Sequence, residues 1–386
     1  MIKLKDKESC CGCYACYNIC PKKCISMSAD KEGFWYPKID ENKCINCNLC
    51  EKVCPILNKP KANKSKEEAY AVINKDEKIR LESSSGGIFT LLAQHVINKN
   101  GVVYGAAFDE IFNVHHIRID SIDDIKYLRG SKYTQSAIKD SYSYVRNDLI
   151  NSKLVLFTGT PCQVNGLRSF LQKDYDNLIL MDIICHGVPS PLVWSEYVKL
   201  RANKADDVIQ QIAFRSKDES WKQYAVKFSF ANSTAYFQNL NEDIFMRGFL
   251  TDLYLRPSCY ECHFKDVNRI SDITIADFWG IQNELPDMDD DKGTSFVVVH
   301  SEKGKELFNS LKGNLKYVQV DINTGIKYNP SMIRSVAYNE KRKLFFNDLS
   351  NSNDLLSLID KYTKLSFTMR IKRKVKSIIK RILGMN

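Results

Sequence analysis

Apolar residues along most of this chain fall in two kinds of run, and the two kinds alternate. Ala69–Ile73, Val102–Phe108, Leu154–Phe157 and Leu178–Ile184 are short apolar runs with the length of buried strands. Ile88–Ile97, Gln163–Leu171 and Leu192–Leu200 repeat their apolar residues at helical spacing. That order predicts an α/β domain with an at least partly parallel sheet. From Ile209 to Phe237 the period shifts toward two, as in Ala225-Val-Lys-Phe-Ser-Phe230, which predicts an antiparallel addition. Glu302–Leu311 and Glu340–Tyr362 read as helices.

The first sixty residues follow neither pattern; cysteine organises them. Of 14 cysteines in the 386 residues, ten lie before residue 55, and the others are Cys162, Cys185, Cys259 and Cys262. Cys10, Cys13, Cys16, Cys20 and Pro21 recur 34 residues later as Cys44, Cys47, Cys50, Cys54 and Pro55. Both runs fit C-x2-C-x2-C-x3-C-P, the bacterial ferredoxin spacing for two [4Fe–4S] clusters. Three cysteines two residues apart wrap one cubane, and the fourth, before proline, reaches the other. Cys10, Cys13, Cys16 and Cys54 are thus assigned to one cluster, and Cys44, Cys47, Cys50 and Cys20 to the other. Zinc knuckles are the competing reading. Cys11 and Cys24 fall outside both registers and are expected to pack beside the clusters. The polar, lysine-rich stretch around 59–68 reads as a linker.

Charge narrows the function classes. The net charge of +10 belongs almost wholly to residues 361–386, with nine Lys or Arg and no Asp or Glu, leaving +1 for the rest. The body is therefore not expected to bind nucleic acid. No run approaches the length of a membrane span, and the N-terminal run lacks a signal peptide's apolar core, so thiols bound to metal in a reducing cytoplasm are expected. In the tail, Phe367, Ile371, Val375, Ile378, Ile379 and Ile382 fall at helical spacing among basic residues. This predicts a basic amphipathic helix over 366–386 lying on an anionic membrane surface, on the inner face of the membrane. The alternative is a helix docking its stripe on the domain.

The later cysteines fall where a ligand crevice is expected. Cys162, in Thr158-Gly-Thr-Pro-Cys162, follows an apolar strand and sits near a helix N-terminus starting at Pro161, where the dipole favours a thiolate. Cys185 ends the next strand, and Cys259 and Cys262 add a C-x2-C pair. Carboxyl ends of strands in an α/β sheet face one crevice, so these four could converge on a third [4Fe–4S] cluster. Zinc, a redox disulfide and unligated thiols compete. Ser83-Ser-Ser-Gly-Gly87 opens the helix at Ile88 as either an anion site or an ordinary serine cap.

Ser84-Ser-Gly-Gly87, Gly130-Ser-Lys-Tyr-Thr-Gln-Ser136, Gly159-Thr-Pro-Cys-Gln163, Cys185-His-Gly187, Cys259-x-x-Cys262 and Asp277-Phe-Trp-Gly280 occur in that order. Over roughly residues 1–340 this ordered set resembles the coenzyme F420 hydrogenase/dehydrogenase beta-subunit family, which includes hydroxymethyl-chlorophyll reductases. The resemblance implies an FAD domain beside iron–sulfur clusters and strengthens the third-cluster reading. It makes Ser84, Ser85, Gly86 and Gly87, with Ser131, Lys132 and Tyr133, the expected flavin contacts. Domain bounds follow as a small α+β dicluster ferredoxin domain at 1–58, the linker, and an α/β flavin domain with a mixed sheet at 69–350. The expected function is an iron–sulfur flavoprotein oxidoreductase linking ferredoxin or another redox protein, the clusters, FAD and an organic substrate. His186, Lys132 and Asp277 are the catalytic candidates, with a structural histidine and a turn-capping aspartate as the alternatives. A relay subunit, or a redox protein at the membrane, is the competing function. Similar chains also occur among bacterial surface-polysaccharide genes, so the substrate stays open.

Overall fold

The computed structural model describes residues 2, 3, 5–63, 66–352 and 354–364. The tail at 366–386 lies outside the described residues. Among the described residues the chain forms three sheets. A hairpin, β1 (Ile25–Ala29) and β2 (Trp35–Ile39), separates the two cysteine runs. An eight-stranded sheet combines β3 (Glu68–Asn74), β4 (Val102–Phe108), β5 (Val114–Ile119), β6 (Val155–Gly159) and β7 (Leu178–Ile183) with strands from the C-terminal half. β8 (Ile209–Ser216), β9 (Ala225–Phe230) and β10 (Ala235–Asn239) form a separate antiparallel sheet. The large sheet is completed by β11 (Ile273–Asp277), β12 (Ser295–Val299) and β13 (Leu315–Val320), in the order β13-β3-β12-β11-β7-β6-β4-β5.

β4, β6, β7 and β11 run parallel, while β12, β13 and β5 are antiparallel to their neighbours. The parallel strands carry long apolar runs, as in Val155-Leu-Phe, because helices cover both of their faces. One consequence positions the site: the carboxyl ends of β6, β7 and β11 reach the same edge of the sheet. Thr160–Cys162, Cys185–His186 and Asp277–Trp279 all follow those ends.

The predicted strand Val102–Phe108 and helix Glu302–Leu311 match the structure to the residue. The single helix expected over Glu340–Tyr362 does not form. Two helices, Arg342–Leu349 and Leu355–Thr363, replace it, with a polar break between them. There the Asp354 side chain accepts from Ser357 N at 3.0 Å, the local bonding by which Ser, Asn and Asp compete with a continuing helix.

The cysteine-rich unit is embedded in the larger one. Tyr14, Ala15 and Val53 share a core with Phe157, Val164 and Leu167, while Phe34 packs with Trp194 and Phe214. A buried Glu32–Arg342 pair at 2.6 Å joins the two parts. Part of the lysine-rich stretch is also fixed, since Asn63 bonds the carbonyls of Arg269 and Ser271.

Candidate functional site: two cysteine hollows and the strand-end crevice

The sequence repeat is also a backbone repeat. Gly12 and its counterpart Asn46 have φ of 65° and 52°, and Tyr14 and Asn48 have 67° and 57°. Left-handed residues at these two places in each run tighten the loop before a short helix, Ala15–Ile19 or Leu49–Lys52. Glycine and asparagine suit that region, whereas tyrosine is strained there and is held by burial. Cys16 has Cys10 and Cys54 among its charged neighbours, and Cys13 has Cys16 and Cys54. Cys54, from the second run, therefore reaches the first, with Cys50 of its own run also beside it. In exchange, Cys20 lines one hollow with Cys44, Cys47 and Cys50. Cys24 joins that hollow, its Sγ 3.3 Å from Cys20 Sγ. Ile2 N donates to Cys50 Sγ at 3.3 Å, and Cys47 is exposed.

The four later cysteines come together. Cys162, Cys185, Cys259 and Cys262 line a second hollow of about 550 Å³, counting the part open to solvent, and Cys11 lines it with them. The cations Arg256, Lys265 and Arg269 line the same hollow, so thiols and positive charge meet there. Among the described residues no group of three or more His, Cys, Asp or Glu is set around a single ion. Val188 N donates to Cys259 Sγ at 3.4 Å, and Lys265 donates to the Cys185 carbonyl.

Cys162 lies in the first turn of the helix Pro161–Leu171, and its side-chain neighbours work against the helix dipole. A hydrogen bond with Cys11, then burial, pushes its thiol well above the ordinary range. Burial likewise pushes Cys185 up to about 12. A thiolate here needs a bound metal's charge. Cys11, set aside in the sequence as packing, touches Cys13 on one side and Cys162 on the other.

The glycines before the Ile88 helix are structural. Gly87, not a serine, is the N-cap, with φ 85°. A Cβ on Gly86 would lie 2.3 Å from Val72 O, so only glycine lets this turn approach the sheet. Ser85 Oγ donates to Thr294 O at 2.9 Å, and Ser131 N donates to Ser84 Oγ at 2.8 Å, which brings the two sequence-picked segments together. Lys132 Nζ sits 3.2–3.4 Å from the carbonyls of Leu128, Arg129 and Gly130. Desolvation lowers its pKa to about 7.

Asp277 does more than cap a turn. It accepts from both Arg215 end nitrogens at 2.7 and 2.9 Å and from Trp221 Nε1 at 3.0 Å. Arg215 also reaches Tyr133 OH and Ser84 O, both at 3.3 Å. His186 lies in the cysteine hollow, with Nε2 2.6 Å from Asp252 Oδ1. It sits edge-on to Phe249 at 5.2 Å, and Tyr133 stacks on the same ring at 4.9 Å. Two aromatic rings thus join the hollow to the Ser84–Ser131 turns.

Sequence reading passed over Arg215, Lys217, Phe249 and Arg256. Lys217 Nζ donates to the carbonyls of Arg80, Ser85 and Lys292 and is lowered to about 7 by burial. Only Arg256 carried a local signal, standing three residues before Cys259. The others come from strand β8, the residue just after it and a distant helix, and no spacing rule links them to the motifs.

Residues 152–323 match the family described as the carboxyl-terminal part of the coenzyme F420 hydrogenase/dehydrogenase beta subunit, and residues 9–57 match a 4Fe-4S dicluster domain. An uncharacterised ferredoxin of Methanocaldococcus jannaschii is 39% identical over 66 residues, 16% of this chain and 84% of its own length. The coenzyme F420-dependent sulfite reductase of the same organism is 24% identical over 51% of this chain and 30% of its own length. One of the subunits of the F(420)H(2) dehydrogenase of Methanosarcina mazei is 21% identical over 45% of this chain and 52% of its own. The match thus spans about a third and a half of these two relatives. The chain thus joins an N-terminal 4Fe-4S dicluster segment to a region of the coenzyme F420 hydrogenase/dehydrogenase beta-subunit family.

Proposed function

We propose that this chain is an iron–sulfur flavoprotein oxidoreductase, exchanging single electrons with a ferredoxin-type protein and electron pairs with an organic substrate. Cys10, Cys13, Cys16 and Cys54 hold one cluster, Cys20, Cys44, Cys47 and Cys50 the second, and Cys162, Cys185, Cys259 and Cys262 a third. FAD contacts the Ser84–Gly87 and Ser131–Tyr133 segments. A flavin takes two electrons as hydride and releases them singly, which is what joins organic chemistry to one-electron clusters.

The residues have separate tasks. Arg215, fixed by Asp277, steadies the Ser84 and Tyr133 side of the crevice. Lys132 brings a poorly solvated cation to the segment where a flavin's phosphates need one. Asp252 and Ser331 engage the two ring nitrogens of His186 and so orient the ring beside the cysteine hollow. The reduced partner is a hydride carrier of the coenzyme F420 type, the chemistry named in two relatives.

The observation that carries this reading is the continuity from Cys11 and Cys162 through His186 and Phe249 to Tyr133. The test is anaerobic purification followed by iron, sulfide, zinc and flavin analysis, then mixing with reduced coenzyme F420. About 12 irons and one FAD per chain, with clusters reduced on mixing, are expected at four irons per cluster. About 8 irons, no bound or bindable FAD and no reduction would leave an electron-relay subunit instead. The basic tail adds a location on anionic membranes: removing residues 366–386 should abolish binding to vesicles containing phosphatidylserine.

A further inference from the structure

Five arginines are buried among the described residues: Arg80, Arg215, Arg256, Arg269 and Arg342. Four of them have carboxylate partners. Arg80 pairs with Asp290, Arg215 with Asp277, Arg269 with Asp182, and Arg342 with Glu32. Arg256, the most buried at 1% exposure, has none among the described residues. Its donors all end on neutral oxygens. Nε bonds the Cys10 carbonyl at 2.9 Å, one end nitrogen bonds Gln135 Oε1 at 3.0 Å, and the other bonds the Trp35 carbonyl at 3.0 Å. The guanidinium lies 4.4 Å from the Tyr36 ring centroid.

A buried full charge without a counter-ion is costly, and protein interiors pair such charges. The titratable groups that act on Arg256 are Cys10, Tyr36, Cys11 and Cys259; burial keeps the Tyr36 hydroxyl neutral, which leaves the cysteines as the missing partner. Arg256 also lines the cysteine hollow, and a Cβ on Gly12 would lie 2.9 Å from its Nη1. It therefore stands between the first N-terminal cysteine set and the later one.

We propose that Arg256 is a positioning residue whose counter-ion is the cysteinate cluster held by Cys10, Cys13, Cys16 and Cys54, and that it raises that cluster's reduction potential. The inference rests on the ligand sets assigned under the proposed function. Four thiolates leave a cubane with net negative charge, and reduction adds one more electron. A fixed cation in a low-dielectric site favours the reduced form. The fork is bound to Cys10 and Trp35, so the charge cannot swing away when the redox state changes.

The test is an EPR-monitored redox titration of the anaerobically purified full chain against R256K, R256M and Q135E. R256M removes the charge. Q135E leaves every Arg256 donor in place but sets a carboxylate against the guanidinium, and it serves if R256M does not fold. R256M and Q135E should each lower the midpoint of one N-terminal cluster, with the other unchanged, and R256K should stay nearer the wild type. Unchanged midpoints in R256M or Q135E preparations with full iron overturn the role. So does an R256K midpoint as low as that of R256M. Wild-type protein without [4Fe–4S] signals overturns the ligand assignment itself, a failure distinct from that of Arg256.

Discussion

Gly166 and Cys13 touch across the boundary between the larger unit and the cysteine-rich one. A Cβ built on Gly166 would lie 2.8 Å from Cys13 Cβ and 3.1 Å from its Sγ. Gly166 sits in the middle of the helix Pro161–Leu171, whose first turn carries Cys162. The absent side chain is what lets the first cysteine loop rest on the helix that presents the later cysteines. Alanine would add about 1 kcal/mol of helix propensity, but overpacking costs about 1–3 kcal/mol. G166A should therefore be less stable by about 1 kcal/mol, read as a lower thermal midpoint under anaerobic conditions. A larger residue such as valine should also change the EPR signal of a cluster. A G166V protein of wild-type stability and spectrum would mean that the two units do not meet as described.

The five thiols of the second hollow divide by prediction into four ligands and one spare. C259S should lose about four irons per chain, one cluster's worth, while C11S keeps its full content. The reverse pattern would make Cys11 the ligand and Cys259 the spare. Zinc appearing in place of the lost iron in the wild type would replace the third-cluster reading altogether.

Asp277 separates a structural from a chemical role cleanly. Arg215 has 2% side-chain exposure, so losing its partner strands a buried cation, which typically costs roughly 3–5 kcal/mol. D277A should therefore unfold far more readily than the wild type, with D277N intermediate because its amide oxygen still accepts. Loss of turnover at unchanged stability would instead mark Asp277 as a proton-transfer group.

Acid should loosen the sheet through two histidines. His116 and His300 are held at about 4 and about 3 by burial, below the ordinary 6.5. His116 Nε2 is 2.9 Å from Thr158 O, a carbonyl that can only accept, so the neutral ring donates there and accepts from Ser136 Oγ at 2.7 Å. The unfolded chain binds these protons first. Stability is thus complete above pH 6.5 and falls as pH drops toward the folded values. At about 1.4 kcal/mol per pKa unit, His116 alone accounts for roughly 2 kcal/mol between pH 7 and pH 5. H116Q should lower stability less over that interval than the wild type. Asp182, Asp243 and Asp272, raised by burial, act in the opposite direction at lower pH. An identical pH slope in H116Q would mean that His116 titrates normally.

Sequence alone determined what depends on local spacing. The two cysteine runs, Pro161 at a helix start, and the strand–helix order from Ala69 to Leu200 follow from residue period and turn chemistry. Those properties are fixed by neighbours a few residues away. The edge strands β5 and β13 escaped because their polar, half-exposed residues carry no apolar run. The tertiary structure alone decided which groups meet. Cys11 reaches Cys162, and Arg256 reaches Cys10 without a carboxylate beside it. Arg215, from a different sheet, clasps Asp277. Such meetings arise from parallel strands ending on one edge and from a glycine small enough to let two units touch. Both are long-range facts of packing, and no local pattern encodes them.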